Sequence, residues 1–117
     1  MVKKELRIQE LKNARGGKGT LIMKHILEQD ELAGHGRLYA EAIFNPGVTL
    51  GYHQHVGDFE PYYVIEGEGI FIDAEGNRIP IKAGDLCNIN PGEFHGVENT
   101  GDGVLRMIAL ILYEEKK

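Results

Sequence analysis

Residues 47–67 read GVTLGYHQHVGDFEPYYVIEG, a segment in which two histidines and a glutamate are closely spaced. His53 and His55 stand two residues apart on a predicted strand, so their side chains point to the same face, with Cα atoms about 6.5–7 Å apart. Glu60 follows after a short gap that contains Gly57, where the chain can turn and return a carboxylate to the same place. This pattern is typical of a metal site with imidazole and carboxylate ligands.

Residues 84–99, GDLCNINPGEFHGVEN, supply a third histidine. His95 lies on another predicted strand that begins just after Pro91 and Gly92. Three imidazoles and one carboxylate leave one or two positions open on a metal ion that takes five or six ligands. A histidine pair on a strand is by itself more often part of an ordinary surface. The metal hypothesis therefore depends on His95 and Glu60 joining that pair.

Glycine content points to the fold class. Sixteen of the 117 residues are glycine, roughly twice the usual share of about 7%. This density disfavours helices and suits tight turns, and short β-forming runs alternate with turn signals, which predicts an all-β sandwich or barrel. Residues 1–15 fit either a strand or a single helical turn, and 15–20 a flexible turn. The predicted strands span about 21–27, 37–44, 48–55, 61–66, 69–73, 78–82, 86–90, 94–99 and 104–112.

Charge and composition exclude several classes of protein. The net charge is −5, from 13 basic and 18 acidic residues, which argues against a nucleic-acid partner and against an anionic membrane surface. No apolar run approaches the roughly 20 residues that span a membrane, and the N-terminal residues lack a signal-peptide pattern. Cys87 is the single cysteine and cannot form an internal disulfide. We expect a cytoplasmic protein with a small-molecule ligand and with no nucleic-acid or membrane partner.

The two segments resemble the two sequence motifs of the cupin superfamily. The first, G-x5-H-x-H-x4-E-x6-G, matches the family motif in full. The second reads G-x6-P-G-x2-H-x3-N and departs at one position, because Asn90 stands where cupins usually have proline and Pro91 follows it. This departure affects a turn and not a ligand.

The resemblance implies an all-β fold, a cupin jelly-roll β-barrel of two antiparallel sheets with a short N-terminal extension. Residues 1–117 would form a single cupin domain, with 1–20 as a leader or edge strand and 37–113 as the barrel. It also implies one divalent metal ion per chain, and manganese, iron, nickel, copper, zinc and cobalt all occur in the family. The implied ligands are His53, His55, Glu60 and His95.

Strand alternation adds candidate pocket residues. Thr49 shares the predicted face of the two strand histidines, and an inward Glu60 places Tyr62 inward as well. Tyr39 or Glu41 would face the cavity, depending on the register of its strand. For each of them the alternative is a packed barrel residue without a role in binding.

Apolar strand faces predict an oligomer. Val48, Leu50 and Tyr52 fall on the face opposite the histidines, and a face this apolar needs a cover. The last predicted strand, 104–112, is apolar on both faces, so both should be buried. We expect a homodimer; the alternative is a monomer whose N-terminal leader covers the patch.

Several functions fit this pattern. We favour a metal-dependent enzyme on a small anionic or enolisable metabolite, dioxygenase-like or decarboxylase-like. A decarboxylase needs a proton donor near the metal, for which Glu28, Asp30 or Glu31 are candidates. The alternatives are a non-catalytic, metal-supported binder of a sugar or carboxylic acid, a sugar isomerase-like cupin, or a metal that only stabilises the barrel.

Four basic residues keep open roles. His25 and His35 are expected to be ordinary surface or loop histidines. Arg37 and Arg106 are either surface residues or binders of a carboxylate.

Overall fold

Short β-strands and tight turns make up most of the molecule. The structure is a computed structural model that describes residues 1–115. Two 3-10 turns, Ala14–Gly16 and Gln29–Leu32, lie between strands, and no helix within the described residues is long and apolar enough to cross a membrane. The strands are β1 Arg7–Lys12, β2 Thr20–Leu27, β3 Gly36–Phe44, β4 Thr49–Gln54, β5 Asp58–Glu66, β6 Glu68–Ile72, β7 Arg78–Lys82, β8 Leu86–Ile89, β9 Phe94–Glu98 and β10 Leu105–Tyr113.

The strands form two antiparallel sheets, which confirms the predicted all-β jelly roll. One sheet has six strands in the order β1-β2-β3-β10-β5-β8, and the other has four in the order β4-β9-β6-β7. Alternate residues of each strand face inward, so the hydrophobic core lies between the sheets. Its largest fully buried side chains are Phe44, Ile89, Leu105, Met107, His95, Val64 and Val97.

The alternation predicted for β5 is present. Tyr62 and Val64 are buried on the inner face, whereas Tyr63 and Ile65 are exposed on the outer face. Strand β10 follows the same pattern, but the outer side chains of this strand are only half-buried. The expectation that both faces of the last strand are buried therefore does not hold within a single chain.

Strand β4 departs from simple alternation. Its register with β9 shifts between Leu50 and His53, and such an irregularity changes the face that the flanking residues take. Leu50 is consequently buried on the inner side, which corrects the outer position expected for it. The hydroxyl of Thr49 accepts a hydrogen bond from the backbone N–H of Lys18 at 2.8 Å, so Thr49 faces the N-terminal turn.

The N-terminal residues belong to the six-stranded sheet and its rim. Strand β1 pairs with β2 at one edge of that sheet. The turn that follows β1 packs on β4, where the N–H of Thr49 donates to the carbonyl of Lys18 at 2.9 Å. Because this turn and the sheets already bury Val48, that part of the predicted apolar patch is covered by the chain itself.

Asn99 holds three segments together at the end of β9. Its buried amide donates to the carbonyls of Phe44 and Gly103, each at 2.8 Å, and its side-chain oxygen accepts from the N–H of Gly101 at 3.0 Å. One side chain thus joins the end of β3 to the turn before β10. The last residue of the second motif therefore has a structural role.

We predict that Asn99→Ala destabilises the fold by roughly 2–4 kcal/mol, because each buried polar group left without a partner costs about 1–3 kcal/mol. Urea unfolding followed by circular dichroism measures the change. The control is Asn88→Ala, which removes an amide that bonds only the exposed Asn90 side chain and should cost about 0.5 kcal/mol or less. Equal stabilities for the two variants would contradict the role assigned to Asn99.

Candidate metal centre

Three imidazoles converge between the sheets. His53 on β4 pairs directly with His95 on β9, and their ring centroids lie 4.5 Å apart. The ring of His55 lies 5.4 Å from that of His53 and 5.1 Å from that of His95. One nitrogen of each ring lies within 4.8 Å of a nitrogen of both others. The histidines of the two motifs therefore form one compact cluster.

Local turns bring His55 to β9. The N–H of His55 donates to the carbonyl of Glu93 at 3.0 Å, and the N–H of Gly92 donates to the carbonyl of His55 at 2.7 Å. Gly92 has a φ of +86°, a left-handed conformation that suits glycine. The Pro91–Gly92 turn therefore fixes the position of His55 as well as the start of the strand that carries His95.

Glu60 reaches the cluster from the opposite sheet. It lies on β5, which begins at Asp58 rather than at residue 61 as predicted. Its Oε1 is 3.1 Å from Nε2 of His55 and 3.5 Å from Nε2 of His95. All four predicted ligands are therefore within one small region, three from the side of β4 and β9 and one from β5.

Hydrogen bonds fix which nitrogens of two rings carry protons. Nδ1 of His53 lies 2.7 Å from the carbonyl oxygen of Gly51, and Nδ1 of His55 lies 2.6 Å from Oδ1 of Asp58. Both oxygens only accept, so each Nδ1 must donate. In the neutral rings Nε2 then has a lone pair, as a metal ligand requires.

Arg37 and Asp58 form a chain behind His55. Nε of Arg37 donates to Oδ2 of Asp58 at 2.8 Å, and Oδ1 of Asp58 accepts from His55. Burial alone would raise the pKa of Asp58, but Arg37 and His55 outweigh it and lower that pKa. The carboxylate therefore stays ionised and orients the ring. Asp58 was not predicted from sequence to belong to the site, although its place between His55 and Glu60 is a signal for such a role.

Burial sets the protonation of the other groups. It is the main cause that lowers the pKa of His95 to about 3, with the two other histidines adding to the effect. Burial likewise lowers the pKa of His53 and raises the pKa of Glu60. At neutral pH two of the three rings are therefore uncharged, in the state that binds a metal ion.

The donor set fits a divalent cation. Nε2 of His55 and Nε2 of His95 face each other at 3.2 Å, where at most one of them can donate, and Glu60 adds an oxygen that only accepts when ionised. Nδ1 of His95 is buried without a hydrogen-bond partner in residues 1–115. Neutral imidazoles with a carboxylate suit zinc, copper, iron, nickel or manganese ions.

A cavity of about 230 Å³ adjoins the cluster. His53, His55, Glu60 and Tyr62 lie on its wall. The rest of the wall is apolar, apart from four polar side chains. The apolar residues are Leu11, Leu21, Met23, Leu38, Leu50 and Ile111, and the polar ones are Gln9, Arg15, His25 and Arg37. We call this space the central cavity.

Of the three candidate pocket residues, only Tyr62 is placed on the wall of the central cavity. Tyr62 lies on the wall of the central cavity, and burial raises its pKa well above the usual value, so its phenol stays protonated. Tyr39 lies on β3 between Leu38 and Ala40, two residues that face inward, so it takes the outer face. As described above, Thr49 faces the N-terminal turn.

One basic residue, His25, differs from its sequence expectation, and another, Arg106, takes the surface position that was one of its two alternatives. His25 is buried and lines the central cavity, where its Nε2 lies 2.9 Å from the amide oxygen of Gln9. The expectation of a surface histidine was wrong because β2 turns its alternate residues inward. Arg106 lies on the outer face of the six-stranded sheet and pairs with Glu41 and Glu66.

These features define a small β-barrel of two antiparallel sheets with a histidine cluster inside. A family model described as "Cupin domain" matches residues 40–111. The chain belongs to the cupin family, as the two motifs indicated.

Several known proteins are similar to this chain. An oxalate-binding protein of Thermotoga maritima is 43% identical over 108 residues, which cover 92% of this chain and 88% of that protein. The crystal structure of a predicted oxalate decarboxylase from the same organism superposes with a TM-score of 0.92 at 41% identity, covering 97% of this chain and 100% of the other. The polyketide cyclase RemF of Streptomyces resistomycificus has a TM-score of 0.76 at 17% identity, covering 100% and 88%. This last likeness concerns the fold alone.

We predict that Asp58→Asn weakens metal binding about 10–100-fold, the usual effect of removing a group that orients a histidine ligand. An amide can donate to Nδ1 of His55, and the ring would then carry its proton on Nε2. Isothermal titration of the metal-free protein with Zn²⁺ measures the affinity. The control is Asp102→Asn, which removes the same charge from an exposed turn. An unchanged affinity in Asp58→Asn would contradict the orienting role.

Proposed function

We propose that this cupin binds one divalent metal ion through His53, His55, Glu60 and His95. We further propose that it binds a small carboxylate such as oxalate at that ion. The observation that carries the proposal is the convergence of three imidazoles and one carboxylate, of which His53, His55 and Glu60 lie on the wall of a cavity. When bound, the ion supplies a Lewis acid with open positions for carboxylate oxygens.

Electrostatics support an anionic ligand. A divalent ion bound by three imidazoles in their neutral form and one carboxylate would keep a net charge of +1, which favours an anionic ligand. Arg15 adds a positive charge on the cavity wall, while the charge of Arg37 is balanced by Asp58. The central cavity is therefore suited to a ligand with negative charge, and not to a neutral apolar one.

Size and similarity support the same ligand class. The cavity volume of about 230 Å³ is below the 300–1,000 Å³ typical of pockets for drug-sized molecules, so a ligand of a few heavy atoms fits it best. The similar protein of Thermotoga maritima is described as oxalate-binding. Oxalate is thus the first ligand to test.

Decarboxylation would require a proton donor beside the ligand. Two of the three carboxylates suggested by sequence for this role are engaged elsewhere: Glu28 pairs with Arg7 at 2.8 Å, and Glu31 pairs with Lys3 and caps the turn that begins after Glu28. The third, Asp30, is exposed and is not among the residues that line the central cavity. The geometry therefore supports metal-dependent carboxylate binding better than decarboxylation. Release of formate from oxalate by the metal-loaded protein would extend the function to decarboxylation.

We predict about one divalent metal ion per chain in the purified protein, and oxalate binding that requires this ion. Elemental analysis and isothermal titration with oxalate measure the two properties before and after removal of the metal with a chelator. His53→Ala should abolish oxalate binding because it removes a ligand of the ion. His35→Ala is the matched control, since His35 is exposed and lies outside the cluster.

Two results would count against this function. A metal content well below 0.1 ion per chain that reconstitution does not restore would exclude the metal centre. Equal oxalate affinity with and without the metal would show that oxalate binds elsewhere than at the metal in the histidine cluster.

We also propose that the chain forms a homodimer through the outer face of its six-stranded sheet. Tyr63 is 50% exposed and Leu86 65% exposed on this face, and Tyr63 pairs in register with Ile108 of β10. Arg106 carries one positive charge here between Glu41 and Glu66. Tyr63, Leu86 and Ile108 form an apolar strip on this face. A face that carries both charge signs beside this apolar strip can match a second copy of itself across a two-fold axis.

Substitution of Ile108 by glutamate is predicted to dissociate the dimer, because it places a charge in the centre of the apolar strip. Sedimentation velocity at micromolar concentration measures the mass. The control is Ile79→Glu, which changes an exposed isoleucine of the four-stranded sheet and should leave the dimer intact. A monomeric unsubstituted protein would refute the proposal.

A further inference from the structure

We infer that Arg15 is the anion-binding residue of the central cavity and makes the site selective for ligands with two carboxylates over ligands with one. The inference rests on the proposed function, because it assigns the second end of the carboxylate ligand. The first carboxylate would lie at the metal centre and the second at the guanidinium of Arg15. Oxalate and larger dicarboxylates belong to this class, and glycolate does not.

The two cavity arginines differ in their partners. Arg37 is committed to Asp58, with which it forms an ion pair at 2.8 Å. Within residues 1–115, by contrast, the side chain of Arg15 takes part in no ion pair or hydrogen bond. It is exposed and also lines the cavity, so the residue lies at the opening. Arg15 is thus the cavity cation whose charge is not balanced by a carboxylate of the described residues, and its donors are available for a ligand.

The backbone around Arg15 is held in an uncommon conformation. Asn13 and Arg15 have φ angles of +51° and +54°, values that non-glycine residues adopt rarely and at some cost in energy. Three backbone hydrogen bonds close the turn: Asn13 to Gly19 at 2.8 Å, Gly16 to Asn13 at 3.0 Å and Gly17 to Ala14 at 2.9 Å. The turn is therefore a defined structure, and not the flexible connection that the sequence indicated.

This turn is fitted against the strand that carries a metal ligand. A Cβ atom on Gly51 would lie 1.9 Å from the carbonyl oxygen of Arg15, and one on Gly17 would lie 2.1 Å from the carbonyl oxygen of Thr49. Only glycine allows this approach of two backbones. The carbonyl of Gly51 also accepts the hydrogen bond from Nδ1 of His53. Arg15 and His53 are consequently positioned by the same residue.

The charge of Arg15 acts on the cluster. Burial is the main cause of the lowered pKa of His53 and His95, and the positive charge of Arg15 contributes to both shifts. A guanidinium that acts on these rings can act equally on a ligand beside them. Its preferred partner is a carboxylate, to which arginine can donate two parallel hydrogen bonds.

The other residues of the cavity wall offer few binding partners for a second carboxylate. Leu11, Leu50 and Ile111 are apolar, and a charged group that is buried against apolar walls without a partner is unfavourable. The side chains of Gln9 and His25 are already hydrogen-bonded to each other. The end of the ligand that faces away from the metal centre therefore has its most favourable interaction with Arg15. This interaction requires that end of the ligand to be charged.

The test compares oxalate with glycolate, which keeps the two-carbon skeleton but has a hydroxymethyl group in place of one carboxylate. Isothermal titration of the metal-loaded protein should show tighter binding of oxalate. Arg15→Gln should weaken oxalate binding about 10–100-fold, as expected for loss of a charge-assisted hydrogen bond, and change glycolate binding about 2-fold or less. Arg15→Lys, which keeps the charge, should restore part of the oxalate affinity.

Controls separate ligand recognition from structure. Lys18→Gln removes an exposed cation from the same turn and should leave both affinities unchanged. Elemental analysis and thermal unfolding of Arg15→Gln should match the unsubstituted protein. If Arg15→Gln lost equal affinity for oxalate and glycolate, or lost affinity for neither, the role of Arg15 would be overturned. The metal-dependent function would remain intact. Failure of the unsubstituted, metal-loaded protein to bind either carboxylate would refute the proposed function and this inference together.

Discussion

The convergence of three imidazoles and one carboxylate at one largely buried place is the constraint on which the rest of the structure depends. Imidazole nitrogens and a carboxylate lose their water when the two sheets close over them, and each unpaired group then costs energy. The outward nitrogens of His53 and His55 are matched by Gly51 and Asp58. Nε2 of His55, Nε2 of His95 and Oε1 of Glu60 face one another at 3.1 to 3.5 Å. A divalent cation is the partner that all of them can share.

The convergence of the four candidate ligands could be predicted from sequence because it depends mainly on spacing. Side chains two residues apart on a strand share a face whatever surrounds the strand, and the match to two motifs of one family placed His95 beside that pair. Strand positions followed from turn residues, and most predicted strands lie within one or two residues of the observed ones. The first residues of the strands were predicted less accurately. Strand β5, for example, begins at Asp58 and includes Glu60, whereas the predicted strand began at residue 61.

Other parts of the site could not be predicted because they depend on contacts between distant segments. The register shift in β4 arises where that strand pairs with β9, and it exchanges the faces expected for Thr49 and Leu50. The inward position of His25 depends on which side of β2 meets the second sheet. Arg15 stands in a glycine-rich segment that carries no periodic signal, and its place is set by a backbone contact with Gly51, 36 positions further along the chain.

Strand β5 links the two faces of the six-stranded sheet. Its inner side carries Glu60 and Tyr62 at the metal centre, and its outer side carries Tyr63 in the apolar strip. Tyr63 and Glu60 lie three residues apart on this strand, so the proposed dimer face and the proposed metal centre share one backbone segment.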